Sequence, residues 1–243
     1  MKISELFFSI QGEGKRIGYP SYFIRTNYCN LRCKFKGGNL CDTDFTSWYP
    51  EDTQNIGEMS FSEIIDDYQK YNSRDVVITG GEPTMQLEEL NDLCCELKKL
   101  KENVYITVET NGTYIGDFAN HVDLISISPK LRSSVPYNSE FEIMHESNRI
   151  NVKAFRKYNE FFRSQLIDIQ WKFVYSGEDD VNEIKELQEQ IGFKNKVIFL
   201  MPEGRTRKDL ERNRLKTVEM CKKYNYNYSD RLQILLWDLK RGV

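Results

Sequence analysis

The sequence predicts a single-domain α/β fold of parallel βα units, arranged as a doubly wound sheet or as a full or partial barrel. Three observations carry that expectation. Short β-rich runs alternate with helical patterns along the 243 residues. Several of those runs are continuously apolar. Polar, glycine-rich strings recur where the runs end.

The β-rich runs, in order, are Ile3–Ile10, Ser21–Thr26, Asp75–Thr79, Val104–Glu109, Leu124–Ser128, Gln170–Tyr175, Val197–Met201 and Leu232–Trp237. VVIT, LISIS and VIFL are continuously apolar, as strands covered on both faces tend to be. Helical patterns fill the intervals. Phe61–Tyr71 is the first. Leu87–Lys101 places Leu87, Leu90, Leu93, Leu97 and Leu100 on one face at spacings of three and four. Val181–Ile191 repeats the device with Val181, Ile184, Leu187 and Ile191, and Arg207–Asn225 forms a mostly charged helix. No low-complexity stretch, Pro/Gly-rich linker or long internal repeat divides the chain, so one domain is expected over residues 1–243.

Hydrophobic residues at 40% and charged residues at 29% describe an ordinary folded domain. The net charge is −3, and Lys and Arg are interspersed with Asp and Glu. Without a concentrated basic stripe, no nucleic-acid partner is expected. MKISELFFSIQGEG lacks the apolar core and cleavage site of a signal peptide, and no apolar run is long enough to span a bilayer. The expectation is a cytoplasmic protein with no membrane partner.

In either parallel architecture the reactive groups sit at the C-terminal ends of the strands. QGEG follows the first run, GGEP follows VVIT, TNG follows VYITVE, SPK follows LISIS and MPEG follows VIFL. All five strings are therefore expected on one rim, around one large site.

Six cysteines in a reducing compartment point to metal ligands or packing residues. Cys29, Cys33 and Cys41 lie close together as Cys-x3-Cys-x7-Cys, whereas Cys94, Cys95 and Cys221 read as packing residues. Three thiolates fall short of the four ligands of structural zinc, but they leave one iron of a 4Fe–4S cluster open. His121 or His145 could supply a fourth ligand only through tertiary contact, so a zinc knuckle stands as the alternative. Along SYFIRT, Phe23 and Arg25 share a face by strand alternation. The guanidinium thus emerges from an apolar strand, where its planar fork suits a carboxylate ligand. The competing reading is a rim salt bridge.

The strings SIQGEGKRIGYPSYFIRTNYCNLRC, CDT, TGGEPTMQ, ETNGT, ISPK, KFVYSG, LMPEG and RLQILLWDLKRGV, in that order, resemble the 7-carboxy-7-deazaguanine synthases of the radical S-adenosylmethionine superfamily. The resemblance implies a partial, incomplete TIM-like βα barrel of the radical SAM type. It also implies ring contraction of 6-carboxy-5,6,7,8-tetrahydropterin with loss of ammonia, initiated by a 5′-deoxyadenosyl radical. Cys29, Cys33 and Cys41 are implied as ligands of the 4Fe–4S cluster. Leu40, Cys41, Asp42, Gly80, Gly81, Glu82, Ser128, Pro129 and Lys130 are implied to contact S-adenosylmethionine, and Thr43 to bind Mg²⁺. Ile10, Gln11, Gly12, Glu13, Arg25, Thr79, Glu109 and Val243 are implied to bind the pterin, with Arg25 and Glu109 catalytic. A flavodoxin or ferredoxin electron donor and a homodimer are implied as partners.

Two departures from the family pattern stand out. KFKGGNL separates Cys33 from Cys41 by five more residues than usual, and Leu40 replaces an aromatic residue that lies near the adenine. Lys34–Leu40 is expected to bulge away while Cys41 still closes the cluster, since Gly37, Gly38 and Asn39 tolerate a tight reversal. The terminal run is expected to contribute a strand and a free carboxylate to the site. The alternatives are another small radical enzyme, such as a glycyl-radical activase, or a non-catalytic zinc or iron–sulfur protein.

Overall fold

A computed structural model describes residues 1–100 and 103–243, so the last residue of the predicted helix Leu87–Lys101 lies outside the described residues. The strands are β1 (Lys2–Ile10), β2 (Pro20–Thr26), β3 (Gly57–Glu58), β4 (Asp75–Gly80), β5 (Tyr105–Thr110), β6 (Leu124–Ile127), β7 (Asp168–Tyr175), β8 (Ile198–Pro202) and β9 (Asn227–Tyr228). The α-helices are α1 (Asp44–Ser47), α2 (Phe61–Gln69), α3 (Leu87–Leu100), α4 (Glu142–Asn148), α5 (Val152–Arg163), α6 (Glu178–Ile191), α7 (Arg207–Tyr224) and α8 (Leu232–Trp237).

One sheet runs β3-β1-β2-β4-β5-β6-β7-β8-β9. From β2 to β9 every neighbouring pair is parallel, while β1 pairs antiparallel with β2 and with β3. The order has two edges instead of closing on itself: this is the partial barrel.

Alternation along each strand sorts the side chains into two environments. Tyr22, Ile24, Ile106, Val108, Trp171 and Phe173 face the apolar core. Their neighbours Arg25, Thr79, Glu109, Ser126 and Lys172 line a polar cavity on the concave side. The apolar runs are therefore not apolar on both faces. The helix-facing residues make the core, and the intervening residues make the site.

The helices close the outer face by familiar devices. Ser60 and Glu63 form a capping box at α2, and Thr206 and Asp209 form one at α7. α6 buries Val181, Ile184, Leu187 and Ile191, and ends on Gly192 at φ +85°. α5 was not anticipated, although Phe155 and Tyr158 are buried at helical spacing and Asn151 caps its first turn.

Two expectations are corrected. Leu232–Trp237 is a helix, not a strand. A short apolar run does not reveal its period, and only Ile234 in this one is fully buried. The QGEG string does not join the other strings at the C-terminal rim. Because β1 is antiparallel, Ile10 lies opposite Pro20 at the start of β2, and residues 11–19 turn beneath the N-terminal ends of the parallel strands. Lys15 pairs with Asp168 at the start of β7, and Arg16 pairs with Asp75 at the start of β4. This loop is the floor of the barrel.

Candidate active site

The cavity is bounded above by the strand-end loops and below by the β1–β2 loop. The cysteine loop follows β2 and begins with Tyr28 in the left-handed region, at φ +69°. Such strain in a non-glycine residue needs strong surroundings to hold it. Here the Tyr28 carbonyl accepts the Glu82 N–H at 2.8 Å. A Cβ on Gly81 would lie 1.9 Å from that carbonyl oxygen, and one on Gly80 would lie 2.3 Å from the Thr26 carbonyl oxygen. The two glycines let the GGEP turn press against the cysteine loop.

Cys29, Cys33 and Cys41 all line the cavity. The long loop between the last two folds on itself: Lys34 bridges Leu40, Phe35 N–H donates to Asn39, and Cys41 N–H donates to Cys33 O at 3.1 Å. Lys34–Leu40 is thus a small hairpin, and its base brings the cysteines together as a short spacing would. Asn39 Nδ2 pins it to Glu203 of the MPEG string at 2.9 Å.

Burial pushes the Cys29 thiol up to about 12 and raises Cys33 and Cys41 as well. The thiols also oppose one another's ionisation, and Lys130 partly offsets this. Three desolvated, mutually repelling thiolates fit a multi-iron cationic cluster. His145 is not a fourth ligand, because its Nδ1 accepts Arg32 N–H at 3.1 Å and its Nε2 meets Ser134 Oγ at 3.2 Å. Trp48 Nε1 donates to Cys33 O at 3.1 Å, completing a brace behind the loop. Among the described residues, no group of three or more His, Cys, Asp or Glu side chains converges as ligands of a single metal ion. Cys94 and Cys221 are buried, as packing residues are, and Cys95 is partly exposed.

Of the other residues singled out from sequence, Leu40, Asp42, Thr43, Gly80, Gly81, Ser128 and Lys130 line the cavity beside the thiols. Among the described residues, Lys130 Nζ donates only to Ser128 Oγ, at 2.8 Å. Thr43 occupies the N-cap position of α1 without making a capping bond, and its Oγ1 lies 3.4 Å from Cys41 Sγ. Glu82 and Pro129 do not line the cavity. The Glu82 carboxylate is fully buried and accepts from Thr84, Thr110 and the Asn111 N–H, so it is a structural anchor and not an exposed anion.

Ile10, Gln11, Gly12, Glu13, Arg25, Thr79, Glu109 and Val243 also line the cavity. Glu109 accepts from Gln11 Nε2 at 3.2 Å and from Thr79 Oγ1 at 2.9 Å. Arg25 Nε binds Glu5 at 2.7 Å, and Arg241 takes the other oxygen of Glu5 at 2.8 Å. Among the described residues, Arg25 Nη1 and Nη2 have no hydrogen-bond acceptor. The salt bridge and a free fork coexist.

Several functional residues were missed from sequence. Lys172 lies 2.5 Å from Glu13 and 3.6 Å from Glu109. Burial opposes its charge, but Glu109 and Glu13 outweigh that and hold it protonated. The Glu13 carboxyl is lowered in return, since Lys172 and Arg231 overcome its desolvation. Burial would likewise raise Asp42, but Arg231, Arg25 and Lys130 hold it at about 2. The signal for Lys172 was present: a charged residue inside DIQWKFVY, detectable by the alternation that exposed Arg25. Arg231 and Gln233, which both bind Glu13, carry no such signal: Gln233 sits in a run that reads as a strand, and Arg231 lies just before it.

This fold and cysteine loop define a radical S-adenosylmethionine protein: residues 23–133 match the Radical SAM superfamily model, so a 4Fe–4S cluster and S-adenosylmethionine belong to its chemistry. The chain is 37% identical to the 7-carboxy-7-deazaguanine synthase of Halobacterium salinarum, over 98% of this chain and 91% of that one. It is 34% identical to the enzyme of that name from Rhodopirellula baltica, over 99% and 88%. The chain belongs to the 7-carboxy-7-deazaguanine synthase family. The crystal structure of QueE from Escherichia coli shares the fold, with a TM-score of 0.67 over 95% of this chain and 93% of that one at 24% identity. No helix among the described residues is long and apolar enough to cross a membrane.

Proposed function

We propose that this chain is a carbon–nitrogen lyase that converts 6-carboxy-5,6,7,8-tetrahydropterin to 7-carboxy-7-deazaguanine with loss of ammonia. Family membership supports the reaction, and one observation carries the substrate assignment. Arg25 offers two Nη groups without an acceptor among the described residues, in the same cavity that the Glu13 and Glu109 carboxylates line. A bidentate cation suits the substrate carboxylate, and carboxylate oxygens suit the N–H groups of the pterin.

Cys29, Cys33 and Cys41 would hold the 4Fe–4S cluster, which supplies the electron that cleaves S-adenosylmethionine and so starts hydrogen abstraction from the pterin. The chain's own groups do the remaining work. Lys130, which makes one hydrogen bond among the described residues, is a cation available to the carboxylate of the cofactor's methionyl group. The Gly80 and Gly81 backbone, held against Thr26 and Tyr28, shapes the site of the methionyl amine, and Glu82 acts from behind by fixing the turn. Thr43, with its hydroxyl free of a capping role, would be the protein ligand for Mg²⁺, an ion that commonly takes few protein ligands. Asp238–Val243 line the cavity, with Arg241 held by Glu5, and Val243 would contact the pterin. The working unit is a homodimer served by a flavodoxin- or ferredoxin-type donor.

Anaerobic turnover with reductant, S-adenosylmethionine and the carboxytetrahydropterin, followed by mass spectrometry, tests the proposal. The expected products are the deazaguanine carboxylate and ammonia, which together account for every atom of the carboxytetrahydropterin. Cluster-loaded protein that makes 5′-deoxyadenosine but leaves the pterin intact would overturn it.

A further inference from the structure

The floor of the cavity holds an ammonium group whose hydrogen bonds are incomplete. Lys172 is 4% exposed and lies on the concave face of β7. Its three N–H donors find one acceptor, Glu13 Oε2 at 2.5 Å. Glu109 Oε1, at 3.6 Å, contributes charge but is beyond hydrogen-bond range. Two donors of a buried cation therefore lack a protein acceptor among the described residues, and leaving such donors unmade is costly.

The need is not created by Glu13. Arg231 Nε at 3.3 Å and Gln233 Nε2 at 2.7 Å already hold its other oxygen. Gln233 can come this close because residue 12 is glycine: a Cβ there would sit 1.8 Å from Gln233 Oε1. Glu109 is held in turn by Gln11 and Thr79. Two oriented carboxylates thus flank one ammonium, which sets acceptors beside a donor. A ligand seated here must present N–H groups beside a lone-pair oxygen. The pyrimidine edge of a 2-amino-4-oxo-pteridine does so, with its exocyclic amine and ring N–H next to a carbonyl. A 2,4-diamino-pteridine places an amine where that oxygen would be, and donor would face donor.

We propose that Lys172 donates to the 4-oxo group of the bound pterin and is the residue by which this site selects 4-oxo over 4-amino pteridines. The inference rests on the pterin reading of the cavity and adds the atom at which the ring is recognised.

The test is anaerobic binding of two stable ligands, pterin-6-carboxylate and 2,4-diaminopteridine-6-carboxylate, by calorimetry on the cluster-loaded enzyme. The wild type is expected to prefer the 4-oxo ligand by about 10- to 100-fold, the worth of one hydrogen bond to a charged group. Lys172→Met is expected to bring that ratio to about 3-fold or less, or to invert it, while Lys172→Arg keeps most of it. A purely structural lysine would weaken both ligands together and leave the ratio unchanged. A folded Lys172→Met or Lys172→Gln protein with the wild-type ratio overturns the proposal. So does a wild type that binds both ligands equally, whether or not any variant folds. A wild type that binds neither removes the pterin reading as well.

Discussion

Replacing Glu82 with glutamine separates two roles for the GGEP turn. The carboxylate accepts from Thr84 N–H at 3.0 Å, Thr84 Oγ1 at 2.5 Å, Thr110 Oγ1 at 2.6 Å and Asn111 N–H at 2.6 Å. Burial raises its carboxyl above the ordinary range, and the bonds from Thr110, Thr84 and Asn111 oppose that rise. Glutamine keeps the shape but exchanges one oxygen for an NH₂ group. The better orientation leaves Oε1 to its three donors and sets the NH₂ against the Asn111 N–H. The bond from Asn111 N–H to a charged acceptor is lost, and that N–H and the new NH₂ group are both left without acceptors, together about 2–4 kcal/mol because such terms are not additive. At about 2–4 °C per kcal/mol for a chain of this size, Tm should fall by roughly 5–15 °C. Circular-dichroism melts measure this, with calorimetric titration of S-adenosylmethionine alongside. A variant that melts within about 1 °C of the wild type yet loses most of its affinity for the cofactor would refute the reasoning. The carboxylate would then act on the ligand and not on the turn.

Arg25→Ala should cut kcat/KM for the pterin by a factor set by about 2–5 kcal/mol, while cofactor cleavage without substrate persists; steady-state kinetics with 5′-deoxyadenosine counted separately checks both. Exchanging Cys94, Cys95 and Cys221 together for alanine should leave about four irons per chain, whereas Cys41→Ala should lose the cluster, as iron analysis and absorbance would show. Burial, with Arg149 and Lys130, holds His145 down at about 4. Its folded value lies below the ordinary 6.5, so its contribution to stability is complete above that pH and is lost as pH falls toward 4. His145→Gln should flatten that part of the stability curve, on the order of 3 kcal/mol in denaturant titrations at stepped pH. Mg²⁺ should accelerate turnover, and Thr43→Ala should weaken that dependence in assays with and without chelator.

The sequence by itself determined the periods. Strand alternation placed Arg25 on the cavity face, helical spacing found the core face of α3 and α6, and the cysteine spacing isolated the three thiols that share one wall. These are local properties, written within a few residues of each other. Tertiary structure alone decided direction and convergence. Nothing within Lys2–Ile10 says that β1 runs antiparallel, yet that direction carries QGEG from the rim to the floor. Nothing within LQILLW chooses helix over strand, because a six-residue run of five apolar residues and one glutamine is too short to separate the two periods. The choice follows from the turn at Ser229–Arg231, which returns the chain to Gly12 and brings Arg231 and Gln233 to Glu13. The charge balance around Lys172 likewise joins residues more than a hundred and fifty positions apart. Such electrostatics depend on distance and desolvation in the folded chain, and only the closed cavity supplies them.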